Sequence, residues 1–215
     1  MDKAAQIAYF EGLLAQHGAN YLALDWNSAE SQRLRFKILK ELLIYGKKAS
    51  GVSLLDVGCG LGDLYGVLKA DGTLKRNKIS YTGFDLSPKL IEAARKKYPD
   101  AKFEAKDILE ERQLPRFDYI FCSGIFNIRT TDRLDHLDFV KEMLFRMYDL
   151  AAQGVGVNFL SEGGLPVAGR EELDAGRYFY FNPEEILNYS RFVATRYILR
   201  HDYHPGDFTV YLLKQ

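Results

Sequence analysis

Apolar residues recur at helical spacing at the start of the chain and then give way to short apolar runs separated by helical stretches. Residues 3–17 read as a short helix. A second starts at Asn27, where Asn27 and Glu30 form a capping-box pair ahead of Leu34, Ile38 and Leu42 at every fourth position. Residues 52–57 are an apolar run ending in a glycine-dense turn, the pattern of a buried strand that feeds a helix. Residues 79–84 repeat it and run into Asp85-Leu86-Ser87-Pro88. There Ser87 suits an N-cap and Pro88 the first helical position, with Leu90, Ile91 and Ala94 on the inner face. Strands are also predicted at 101–105, Phe117–Cys122 and 155–160, with a helix after Thr131 whose stripe holds Leu134, Leu137, Leu144 and Met147. Asn182-Pro183-Glu184-Glu185 caps a further helix, and 196–200 and 208–213 form a closing hairpin whose turn contains Pro205-Gly206.

Alternating strands and helices specify an α/β chain: a Rossmann-like, doubly wound, mostly parallel sheet covered on both faces, with ligands at the carboxyl ends of the strands. The expected organisation is an N-terminal helical cap over 1–50 and the sheet domain over 51–215, as one structural domain. No repeat or low-complexity tract argues for a solenoid or propeller.

Composition narrows the function. The 215 residues carry 29 Lys+Arg and 29 Asp+Glu, so no global field gathers polyanions, and nucleic acid is not the expected partner. Two cysteines, Cys59 and Cys122, cannot staple a secreted scaffold, and no closely spaced Cys/His set offers four zinc ligands. The start, Met1-Asp2-Lys3, lacks a basic region followed by an apolar one, and no stretch approaches the roughly 20 apolar residues of a membrane span. A cytoplasmic protein without membrane association is expected.

The most informative segment is Asp56-Val57-Gly58-Cys59-Gly60-Leu61-Gly62. Its glycines let a ligand approach the backbone at a helix N-terminus. Phosphate is disfavoured there, because Asp56 and Asp63 flank the turn and residues 57–65 contain no Lys or Arg. The dinucleotide fingerprint needs a third glycine where Asp63 stands, and the Gly-Lys-Ser/Thr end of a phosphate loop is absent. Asp56 suits a ligand that presents a cation. Asp85, at the end of the second strand, can accept from both hydroxyls of a ribose. Asp107, after the third strand, can accept from an exocyclic amine, and Leu86 and Ile108 can cover the faces of a base. Cation, ribose and adenine without phosphate describe S-adenosylmethionine.

On these residues the chain resembles the class I S-adenosylmethionine-dependent methyltransferase family. The resemblance is carried by Leu54-Leu55-Asp56-Val57-Gly58-Cys59-Gly60-Leu61-Gly62, Tyr81-Thr82-Gly83-Phe84-Asp85-Leu86-Ser87, Lys106-Asp107-Ile108 and Phe117-Asp118-Tyr119-Ile120-Phe121-Cys122-Ser123. It implies a seven-stranded sheet with its last strand reversed. It also implies that Gly58, Cys59 and Gly60 line the methionine part by their backbone, the Cys59 side chain being a small packing residue, that Asp56 fixes the turn and the ammonium, and that Asp85 holds the ribose. Asp107 and Ile108 would sit at the adenine, and Cys122 and Ser123 would face the amino-acid part and the donated methyl. S-adenosylhomocysteine would be the product.

Other residues leave choices open. Gln32 and Arg35, one helical turn apart, either reach the cofactor's carboxylate or form a solvated face. Trp26 and Tyr178-Phe179-Tyr180-Phe181 either wall an acceptor pocket or pack the core. His201 and His204 read as exposed turn residues, and His136 and His17 as helix-surface ones. The fourth strand lacks the Asn/Asp-Pro-Pro-aromatic motif of amino-methylating enzymes and the acidic metal ligands of catechol-type enzymes, so no metal is expected. The expected acceptor is a small molecule, with O-methylation ahead of N-methylation and residues 161–177 as a candidate lid. The expected assembly is a monomer or homodimer. The alternatives are a methyltransferase for tRNA or protein, and a cofactor-binding partner protein without transferase activity. A nicotinamide oxidoreductase is opposed by Asp56 and Asp63.

Overall fold

The computed structural model describes residues 3–47, 50–129, 132–167, 169 and 174–215. The helices are α1 (Lys3–His17), α2 (Ala29–Tyr45), α3 (Asp63–Ala70), α4 (Thr73–Arg76), α5 (Pro88–Lys97), α6 (Arg133–Leu150) and α7 (Pro183–Val193). The strands are β1 (Ser53–Val57), β2 (Ser80–Asp85), β3 (Lys102–Ala105), β4 (Phe117–Cys122), β5 (Ala151–Leu160), β6 (Arg196–His204) and β7 (Asp207–Leu213). They form one sheet in the order β3-β2-β1-β4-β5-β7-β6. Strands β1 to β5 run parallel, and β7 inserts antiparallel between β5 and β6. This is the Rossmann-like sheet with a reversed last strand that the sequence led one to expect.

The apolar runs are explained by burial on both faces of the sheet. Leu55 and Val57 of β1 and Ile120 and Cys122 of β4 pack beneath α6 and α7. Leu54 of β1 and Tyr119 and Phe121 of β4 pack beneath α2 and α3. The two sets alternate with the period of a strand. The N-terminal helices divide between two tasks. Helix α2 buries Phe36, Ile38, Leu39, Leu42 and Leu43 as part of the sheet's own core. Helix α1 has no fully buried residue and packs Phe10 and Leu14 near Ala23, Leu61 and Leu90, beside the strand ends.

Several local expectations shift. Ser28, not Asn27, caps α2, its hydroxyl accepting from Ser31 N at 3.0 Å. Both side chains are of the capping type, and it is Ser28 whose extended backbone directly precedes the first helical turn. Strand β5 starts at Ala151, earlier than expected, because β4 pairs Phe117 with Ala151. Leu134 leaves the expected α6 stripe and is 73% exposed, since it lies in the first turn beyond the packed face. His136 is buried rather than on the surface. Its ring stacks on Phe179 at a centroid distance of 4.4 Å, and Nε2 lies 2.9 Å from the Phe126 carbonyl. Burial lowers its pKa, favouring the neutral ring. His201 and His204 lie in β6, not in the turn, because that strand extends across an irregularity to pair His204 with Asp207.

One buried ion pair ties α2 to the hairpin. Arg35 Nε donates to Asp207 Oδ1 at 2.9 Å, and Arg35 Nη1 donates to Ser31 Oγ at 2.7 Å. Only 2% of the Asp207 side chain is exposed, so removing one partner strands the other charge away from water. Asp207→Ala is expected to cost about 3–5 kcal/mol of stability. Urea unfolding checks this, and a loss below about 1 kcal/mol would mean that water reaches Arg35 in the variant.

Candidate functional site

The glycine turn is held by β2. Gly58 and Cys59 donate their backbone N–H groups to the Phe84 carbonyl at 2.8 and 3.0 Å. Gly58 and Gly62 both have φ of +73°, a conformation that L side chains rarely adopt. A Cβ on Gly58 would come within 2.1 Å of Ile125 Cγ2, so the turn also needs the missing side chain for its close approach to the loop after β4. Asp85 then fixes two backbones at once. Its Oδ2 accepts from Gly60 N at 2.9 Å, and its Oδ1 accepts from Ser87 N at 2.9 Å. Burial pushes the Asp85 carboxyl above its ordinary value, and these amides pull it back. Ser87 caps α5, accepting from Leu90 N at 3.2 Å.

A cavity of about 380 Å³ opens over these strand ends. Gly58, Gly60, Asp85, Leu86, Asp107, Ile108 and Ser123 all line it, so most of the expected site residues meet there. Asp107 is also engaged elsewhere. Its Oδ1 accepts from Leu109 N at 2.8 Å, and its other oxygen pairs closely with Lys3 of α1. Ser123 Oγ donates to Asn158 Oδ1 at 2.9 Å, and Asn158 in turn donates to Thr209 at 2.6 Å.

Four expected site residues do not line the cavity. Asp56 shares the face of Leu54 and accepts from the Tyr81 hydroxyl at 2.6 Å. Cys59 packs in the core beneath α2 and α3, and Cys122 in the core beneath α6. Burial pushes both thiols up, which removes them as nucleophiles. Arg35 is committed to Asp207 and stacks over the Trp26 ring at 4.6 Å. Gln32 donates to Asp63 at 3.2 Å. Trp26 and Tyr178 do line the cavity, whereas Phe179 and Phe181 pack around His136 in the core. Of the candidate lid, 168 and 170–173 lie outside the described residues. Its first part, Glu162–Val167, is a 3-10 turn pinned to the hairpin by Ser161 N donating to Gly206 O at 2.9 Å.

Sequence reasoning missed Lys3, Gln6 and Phe10 of α1, Leu24 and Asp25 before α2, and Phe139 and Met143 of α6, all of which line the cavity. Phe139 and Met143 stand four apart on a helix and read as ordinary core. Only the placing of Asp25 between Leu24 and Trp26 could have hinted at a wall. Among the described residues no group of three or more His, Cys, Asp or Glu side chains could hold a metal ion. No described helix is long and apolar enough to cross a membrane.

Burial pushes the Asp56 carboxyl up to about 7 from its ordinary 3.8, with the Tyr81 hydrogen bond opposing the shift. The folded chain therefore holds this proton more tightly than the unfolded chain does. The resulting stability is complete below pH 3.8 and is lost as the pH rises through about 7. At its steepest the loss is roughly 1.4 kcal/mol per pH unit. Asp56→Asn, which can still accept from Tyr81, is expected to flatten this fall. Urea midpoints for both proteins across this pH window check it, and parallel slopes would show that another group titrates.

The model of a family described as "Methyltransferase domain" matches residues 48–156. The "Putative methyltransferase Rv1506c" of Mycobacterium tuberculosis (strain ATCC 25618 / H37Rv) is 30% identical over 175 residues, covering 77% of this chain and 95% of that protein. The magnesium protoporphyrin IX methyltransferase of Synechocystis PCC 6803, solved with bound SAH, superposes with a TM-score of 0.68 at 16% identity over the full length of both chains. The plantazolicin methyltransferase BamL, solved with a triazolic desmethylPZN analog and SAH, gives a TM-score of 0.66 at 15% identity, covering 99% of this chain and 97% of that one. These two likenesses concern the fold. With the family match and the mycobacterial relative, they place this chain in the class I S-adenosylmethionine-dependent methyltransferase family.

Proposed function

We propose that the protein transfers a methyl group from S-adenosylmethionine to a small-molecule acceptor, with oxygen favoured over nitrogen as the accepting atom. The observation that carries the cofactor assignment is the anchoring of Asp85. A carboxylate offers roughly four acceptor positions, and two are taken by Gly60 N and Ser87 N. The remainder suit the two hydroxyls of a ribose. Leu86 and Ile108 supply apolar cover for a base, and Asp107 supplies an acceptor that its amine would share with Lys3. Gly58 and Gly60 bring backbone to the cavity where a side chain would intrude. Ser123, directly after β4 and on the cavity wall, would face the amino-acid part. The cavity volume lies within the range of small-molecule sites.

The bound cofactor would supply an electrophilic methyl on a sulfonium centre. The protein's own task is then to align the acceptor and exclude water, which can provide several kcal/mol of the rate enhancement. Asp56 acts through the turn: its carboxylate holds Tyr81 and so supports β1 against β2. The small-molecule reading is supported by the zero net charge, by the apolar cavity wall, and by the ligand present in the BamL structure.

Calorimetry with S-adenosylmethionine and S-adenosylhomocysteine tests the assignment. Micromolar binding is expected, weakened roughly hundredfold by Asp85→Ala through the loss of two charge-assisted hydrogen bonds. Asp85→Asn, which keeps an acceptor for one backbone amide, should fall between. Failure of the folded wild-type protein to bind either ligand, once carried-over cofactor has been excluded, would overturn the assignment.

A further inference from the structure

One stretch of the cavity wall is formed by Leu24, Asp25, Trp26, Asn127, Phe139 and Tyr178. Glycines fix its position. A Cβ on Gly60 would lie 2.8 Å from Leu24 Cδ2, and one on Gly124 would lie 3.2 Å from Trp26 Cζ2, so the segment carrying Asp25 rests directly on the two turns of the cofactor side. Asp25 itself adopts left-handed geometry, φ 57° and ψ 34°, and closes a 3-10 turn by donating its N–H to Leu22 O at 3.1 Å. Its side chain is braced as well. Tyr178 donates to Asp25 Oδ2 at 2.9 Å, the Tyr9 hydroxyl faces the same carboxylate, and Arg177 Nη2 lies 3.6 Å from Oδ1. Arg177 gives its closer hydrogen bonds to the hydroxyls of Tyr178 and Tyr9, at 2.8 and 3.2 Å. The carboxylate thus keeps acceptor capacity for one more donor.

The charges around the cavity are unbalanced. Asp25, Asp85, Asp107 and Asp135 line it against Lys3 and Lys106. Both lysines are committed to acids, Lys3 to Asp107 and Glu110, and Lys106 to Glu104 at 2.9 Å. An entering anion would find no uncommitted lysine on the wall. Of the carboxylates, Asp107 is held by Lys3 and Asp25 faces Arg177, while among the described residues Asp85 and Asp135 have no ion-pair partner. The balance favours an entering amine. We propose that this stretch of wall is the acceptor subsite, that it takes an apolar, ring-sized molecule bearing an amine cation, and that Asp25 holds the amine. The proposal rests on the reading that the glycine turn, Asp85 and Asp107 hold the S-adenosyl cofactor. The anchored amine need not be the methylated atom. It fixes the molecule so that another nucleophile on it can face the cofactor side.

Trp26 is the chain's single tryptophan, so its emission reports on this subsite. Protein loaded with S-adenosylhomocysteine, its binding first established by calorimetry, is titrated with 2-phenylethylamine, 2-phenylethanol and phenylacetate. These share a ring and differ in head-group charge. The amine is expected to bind about tenfold more tightly than the alcohol, the scale of one charge-assisted hydrogen bond, and the acid most weakly. Asp25→Asn should abolish the preference for the amine while leaving S-adenosylhomocysteine affinity within about twofold, as expected for separate sites. In the wild type, added salt should narrow the gap between amine and alcohol, a readout that requires no variant to fold. Equal or tighter binding of phenylacetate, or an amine preference that survives Asp25→Asn or is indifferent to salt, would overturn the proposal. Absence of S-adenosylhomocysteine binding would instead strike the cofactor reading. The same three titrations without it still test the subsite.

Discussion

The site depends on the carboxylate of Asp85, which ties the turn after β1 to the start of α5. One oxygen holds Gly60 N and the other holds Ser87 N, and the neighbouring Phe84 carbonyl holds two further amides of the same turn. A loop with φ positive at Gly58, Gly60 and Gly62 has little reason to keep one shape by itself. It keeps this shape because β2 presents acceptors in register, with Val57 beside Phe84. That register is in turn fixed by which side chains must enter each core, since a slip of one residue would send Leu54 and Leu55 to the wrong faces.

Around that joint the cavity is completed by residues that do not belong to the sheet. Leu24 and Trp26 settle on Gly60 and Gly124, where hydrogen in place of a side chain leaves room for them. Buried polar groups behind the rim are partnered, as their removal from water requires. Arg35 meets Asp207, and Ser123, Asn158 and Thr209 form a hydrogen-bonded chain from the cavity wall across β5 to β7. The same rule explains His136, which can be fully buried because a backbone carbonyl and an aromatic face receive it.

Much of this was legible in the sequence. The strands, the Ser87, Pro88 and Asn182 helix starts, and the convergence of Gly58, Gly60, Asp85, Leu86, Asp107, Ile108 and Ser123 follow from local patterns that require no knowledge of distant contacts. Asp56, Cys122 and Arg35 show where such reading stops. They lie in or near the right motifs, but alternation along β1 turns Asp56 toward Tyr81, and Arg35 finds Asp207, a residue 172 positions away. His136 reads as a surface residue because a lone histidine on an amphipathic helix carries no mark of what will cover it.

The sequence by itself determined the layered sheet, its ligand-binding edge and the adenosine-type character of the site, because periodicity, turn chemistry and the position of an acid at a strand end are local properties. Only the tertiary structure decided the rest of the cavity wall, which joins Phe10 of α1, Asp25 and Trp26 before α2, Phe139 of α6 and Tyr178 after β5. No periodicity links these residues. They meet because packing against the two cores carries their separate segments to one rim, and only there do they face the same space.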